Sequence, residues 1–121
     1  MKRTIQIHVA GMEEMGQRFV EAWRRTEGGE SPAEPREHIT FPDVETLFKT
    51  LTPRRWTLLK TLRKKGPLSV RSLAQALERD YKNVHTDVRE LEQAGLIERT
   101  EDDRVCVPWQ TIVTELNLEA A

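Results

Sequence analysis

Residues 66–108 run GPLSVRSLAQALERDYKNVHTDVRELEQAGLIERTEDDRVCVP, and the punctuation of this stretch decides the fold. Gly66-Pro67 stops any helix before it. Ser69 is placed to cap a short helix whose inward residues are Val70, Leu73, Ala74 and Leu77. Glu78-Arg79 makes a turn, Asp80 stands at the next cap, and Gly95 ends the second helix. Within that helix Tyr81, Val84, Val88 and Leu91 fall at i, i+3, i+7 and i+10, a single stripe toward a core. The opposite stripe is Lys82, His85, Thr86 and Arg89, with Asn83 beside it.

A helix held by one stripe and cationic along the other suits a DNA major groove. Base readers concentrate near the N-terminal end, which singles out Lys82, Asn83 and His85 or Thr86. Lys pairs with guanine, Asn with adenine, and a Thr methyl can touch the thymine methyl. Arg89, a turn further on, reaches a base or a phosphate, and Tyr81 packs at the helix start with its hydroxyl toward a phosphate. Ser69, Arg71 and Ser72 lie in the first turn of the preceding helix, where hydroxyls, free N–H groups and a cation can hold a phosphate. Arg54, Arg55 and the Arg63-Lys64-Lys65 run offer more distant phosphate contacts.

After Gly95, Leu96–Arg99 and Arg104–Val107 read as two short strands around Thr100-Glu101-Asp102-Asp103, with Leu68 placed to add a third. The acidic tip is wrong for a minor-groove reader, and only Arg99 and Arg104 at the base carry positive charge. The hairpin is therefore expected to support the fold more than to read DNA. Pro108-Trp109 then opens what reads as a final amphipathic helix, with Trp109, Ile112, Val113 and Leu116 on one face. It would close the core or pack against a second subunit.

Working back from residue 66, Thr52-Pro53 starts a helix to about Lys65 with Trp56, Leu59 and Leu62 inward. Asp43 caps a shorter one with Val44, Leu47, Phe48 and Leu51 as its stripe. Thr4–Val9 alternates as a half-buried strand, and His38–Phe41 reads as a second strand whose partner is the first, within the chain or across a dimer. Between them Met12, Met15, Phe19, Ala22 and Trp23 recur at helical spacing, a core face or a surface held for a partner. Gly28-Gly29, Ser31, Pro32 and Pro35 mark a linker.

The chain of 121 residues is enough for one compact domain with an extension. Its net charge of −1 argues against nucleic acid until the distribution is read. Residues 52–90 carry 10 basic and 4 acidic side chains, net +6, whereas residues 91–121 carry 2 and 7, net −5. The positive charge thus falls on the helices that would face DNA. No apolar run approaches the roughly 18 residues of a membrane span, and the N-terminus lacks a signal-peptide core. The single Cys106 suits a reducing cytoplasm. No phosphate-binding glycine loop, Ser/His/Asp or Cys/His constellation suggests catalysis. His8, His38, His85 and Cys106 are too scattered for a metal site, so neither metal nor cofactor is expected.

From Leu51 to Leu118 the chain resembles winged-helix regulators of the broad MarR/ArsR type, the phrase RELEQAGLIER being a frequent element of that superfamily. More narrowly, LTPRRWTLLKTL, GPLSVRSLAQAL, RDYKNVHTDV and VPWQTIV together resemble a prokaryotic family of transcriptional regulators. Its members are often encoded beside small toxins and are thought to act as antitoxin or autoregulator. The resemblance implies that Tyr81 to Val88 belong to the recognition helix; Thr86 departs from the basic residue expected there.

The expectation is thus a mainly α fold with a small β-hairpin wing, a winged helix-turn-helix over residues 37–121 after a β-α extension over 1–36. It would bind double-stranded DNA as a homodimeric repressor acting on its own promoter, with a cognate toxin as a further partner. Its alternative is a winged-helix adaptor that neutralises or scaffolds a protein without binding DNA. Partner or dimer contacts are expected at Ile5, Ile7, Met12, Met15, Phe19, Trp23, Trp109, Ile112 and Leu116.

Overall fold

The computed structural model describes residues 3–9 and 37–118; the expected helix of Met12, Met15, Phe19 and Trp23 and its linker lie outside them. The chain divides into two compact units, a helical one of residues 1–3 and 48–110 and a sheet unit of residues 4–47 and 111–121. Helix takes 47% of the described residues and strand 22%, and the strands form more than a hairpin, so the fold is mixed α/β.

In the helical unit, α2 (Pro53–Lys65) starts as the Thr52-Pro53 signal predicts: the Thr52 hydroxyl accepts from the Arg55 N–H, and Pro53 occupies the first turn. Its buried residues are Leu58, Leu59 and Leu62. Trp56, expected inward, is 44% exposed. At ~100° per residue it lies well round the helix from Leu62, and Leu58 fills the inward position instead. Helix α3 (Val70–Leu77) buries Leu73 and Ala74 and packs on both α2 and the helix that follows. Glu78 turns the chain in the left-handed region at φ 54, and its N–H returns to the carbonyls of Ala74 and Gln75. Helix α4 (Tyr81–Ala94) buries Val84, Val88 and Leu91. Asp80 holds its N-cap position without the expected side-chain hydrogen bond, and Gly95 ends the helix at φ 91.

Strands β3 (Glu98–Arg99) and β4 (Val105–Cys106) form an antiparallel hairpin, and Leu68 bridges Val105 as the third-strand position predicts. Leu96, Ile97, Val105, Val107 and Trp109 complete the buried set of this unit.

The sheet unit departs furthest from the sequence reading. Strand β1 (Thr4–Val9) is central, with β2 (Glu37–Phe41) on one side and β5 (Thr111–Thr114) on the other. Both pairings are parallel, running from Ile5↔Glu37 to Val9↔Phe41 and from Thr4↔Thr111 to Ile7↔Thr114. The strand expected to pair with β1 does so within the chain. Residues 111–114, however, form a strand where a final helix was expected. Trp109, Ile112, Val113 and Leu116 do match helical spacing, yet Thr-Ile-Val-Thr is an unbroken β-branched run that loses rotamer freedom in a helix and fits a pleated surface. The short helix α1 (Val44–Thr50) follows β2, capped by the Asp43 carboxylate on the Thr46 N–H at 2.6 Å. Within it Leu47 is buried, while Phe48, expected in the same stripe, is 59% exposed.

Candidate nucleic-acid interface

Helix α4 separates its two faces cleanly. Val84, Val88 and Leu91 have at most 1% exposure, whereas Lys82, Asn83, His85, Thr86 and Arg89 all lie outside the core on the opposite side. Tyr81 leaves the core stripe in which the spacing put it: it is 47% exposed, and its ring meets His85 at a centroid distance of 5.8 Å. Among the described residues, Lys82 and Arg89 have no acidic partner. The Thr86 hydroxyl donates to the Lys82 carbonyl one turn back at 3.0 Å.

Asp87, on the flank between the two faces, ties α4 to its neighbours. Its carboxylate accepts from Arg55 Nε at 3.1 Å and from Arg79 Nη2 at 2.7 Å, with all three side chains no more than 18% exposed. Arg55 donates further to the carbonyls of Lys49 and Thr50. Asp87 and Arg55 together therefore tie the end of α1, the start of α2, the α3–α4 turn and the middle of α4. Arg55, expected to contact phosphate, is consumed in this clamp. Arg63 is likewise directed inward, to the carbonyls of Val107 and Pro108. Sequence reasoning missed Asp87 because nothing local distinguishes it from its solvated neighbours.

At the start of α3 the Ser69 hydroxyl accepts from the Ser72 N–H at 3.1 Å and donates to the Ser72 hydroxyl at 3.0 Å, and Arg71 is exposed beside them. Hydroxyls, the ends of backbone N–H groups and a cation thus gather at one helix start, the chemistry of phosphate binding. Arg54, Lys60, Lys64 and Lys65 are exposed on α2.

The two arginines of the hairpin are already paired. Arg99 holds Glu92 of α4 through two hydrogen bonds of 3.0 and 2.9 Å and Asp103 through one of 2.9 Å. Those bonds, Glu92 first, push the guanidinium pKa up, and the Arg99 hydrogen bond holds the Glu92 carboxyl below its ordinary value. Arg104 pairs with Asp102 at 3.2 Å. Hydrogen bonding from the Thr100 hydroxyl, ahead of other causes, lowers the Asp102 pKa. Both cations assigned to DNA from sequence, Arg99 and Arg104, therefore already have carboxylate partners. Burial pushes the Cys106 thiol up, as suits a packed strand residue rather than a reactive one.

Of the residues expected at a partner surface, Ile5 and Ile7 are 1% exposed and Trp109 is 3% exposed, so they offer little outer surface. Ile112 is half-buried and Leu116 exposed. The histidines read as scattered are partly gathered: His8 Nε2 and His38 Nδ1 lie 2.7 Å apart across β1 and β2. The parallel register, which no local pattern discloses, brings them together. Among the described residues no three His, Cys, Asp or Glu side chains cluster to hold a metal ion, and no helix is long and apolar enough to cross a membrane.

These features define a small mixed α/β protein whose helical unit presents one cationic helix face. The chain belongs to the HVO_A0114 family, whose model matches residues 50–114, from the end of α1 to the end of β5. Comparison with curated proteins finds no match.

Proposed function

We propose that the chain is a winged helix-turn-helix protein that binds double-stranded DNA sequence-specifically and regulates transcription in the cytoplasm. The observation that carries this reading is α4, clamped on one side and presenting Lys82, Asn83, His85, Thr86 and Arg89 on the other. Ser69, Arg71 and Ser72 supply phosphate contacts that set register. Tyr81 stands beside His85 at the groove-entering end. In a homodimer two such helices would enter successive major grooves about 34 Å apart, on an imperfect palindrome. Repression of its own promoter, as the antitoxin of a toxin pair, is the regulatory role proposed, with neither catalysis nor a cofactor.

The test is duplex binding by fluorescence anisotropy across a salt series. Affinity should fall steeply with salt, and Lys82→Ala or Arg89→Ala should weaken binding about tenfold, as loss of a charge-assisted base contact does. A log-affinity independent of salt would end the reading. The internally paired, acidic hairpin favours a second one: a winged-helix adaptor that neutralises or scaffolds a protein without DNA. That alternative requires a stable complex with a neighbouring gene's product and no duplex binding even at low salt.

A further inference from the structure

Thr86 stands in the middle of the exposed face of α4, about 6 Å along the axis beyond Lys82 and about 4.5 Å before Arg89. The three fall within an arc of about 60°. Its neighbours are cations with free donors, but Thr86 differs in kind. Its hydroxyl hydrogen is committed to the Lys82 carbonyl at 3.0 Å, the back-bond that fixes χ1 of a helical threonine. The γ-methyl is then the group turned outward. The exposed face thus carries a methyl-sized apolar spot between two positive charges.

A major groove presents acceptors, donors and one apolar group, the C5 methyl of thymine. The spot has one complement there, and it is not a phosphate. Resting on the DNA-binding reading above, we infer that Thr86 is a specificity-determining residue that reads thymine by methyl-to-methyl contact. Lys82 and Arg89 take the flanking acceptors. Any sequence can satisfy a phosphate contact, whereas only thymine, or a 5-methylated cytosine, can make this one. Duplex affinity at this position should therefore respond to the presence of the methyl and not to the presence of the hydroxyl.

The experiment separates the two groups on both partners. Duplexes are enriched from a randomised pool with the full chain, and each thymine of the enriched sequence is replaced in turn by deoxyuridine, which keeps every Watson–Crick contact and lacks only the methyl. One position in each half-site should lose about fourfold in affinity, the factor that corresponds to one buried carbon at about 0.8 kcal/mol. Thr86→Val, which keeps the methyl, puts a second methyl in place of the hydroxyl and holds χ1 by its own β-branching, should bind the thymine duplex within about twofold of the natural chain. Thr86→Ser should bind it about fourfold more weakly and no longer distinguish thymine from uracil. The inference is overturned if serine keeps full affinity while valine loses it, or if no single thymine-to-uracil exchange matters although the chain binds the duplex tightly. Should the chain enrich no duplex at all, the DNA-binding reading itself falls and takes the inference with it.

Discussion

Asp87 sits between two guanidiniums, and its removal would leave both without the charge they were folded around. Arg79 would suffer most, because its Nη1 is already buried without an acceptor and Asp87 is the partner that compensates the group. We expect Asp87→Ala to cost about 3 kcal/mol, the loss typical of breaking a largely buried ion pair. Arg55→Ala should cost less, since Asp87 would keep Arg79. Urea unfolding followed by tryptophan fluorescence checks both, and equal, small shifts of the midpoint would contradict the clamp. At this scale the sequence is a partial guide. Lys82, Asn83, His85, Thr86 and Arg89 were legible because helical periodicity alone fixes which side of α4 they occupy. The fates of Arg55, Arg99 and Arg104 were not, because whether a cation is free depends on carboxylates that tertiary packing brings near.

Among the elements, α3, α4 and the hairpin were the most legible. Each boundary has a local chemical cause: the Ser69 hydroxyl, the Gly95 left-handed cap, the Leu68 bridge. Glu78 and Asp103 are exceptions, non-glycine residues at φ 54 and φ 63, a conformation that costs an L-residue roughly 1 kcal/mol. The hairpin is fastened to α4 by Arg99 and Glu92, and that fastening titrates. Arg99 depresses the Glu92 pKa below its unfolded value of about 4.3, so the contribution is complete above that value and is lost as pH falls through the lower folded value. Both side chains are about a third exposed, which holds the effect below about 1 kcal/mol. Glu92→Gln should therefore be slightly less stable than the natural chain near about pH 6, and the gap should close on acidification toward about pH 3. Paired thermal melts across that range decide it; a gap that widens in acid would refute the clasp.

For the whole molecule, the sheet was the part that sequence disclosed least. Strands β1 and β2 were readable from alternation, but parallel register is a long-range property, and the helical spacing of Trp109, Ile112, Val113 and Leu116 pointed the wrong way. Strand β5 covers one edge of β1, and that cover is its structural role. Truncation after Gln110 should leave the edge open to pair with other chains, so the shortened protein should sediment as larger species while the full chain does not. A truncated chain that stays monodisperse with unchanged melting would deny β5 that role. The chain order of the two units has a further result. Residues 48–110 are spliced into the sequence of the sheet unit, which the chain leaves after Leu47 and re-enters at Thr111. A cut at either of these two junctions alone still leaves residues 48–110 covalently attached to part of the sheet unit through the other.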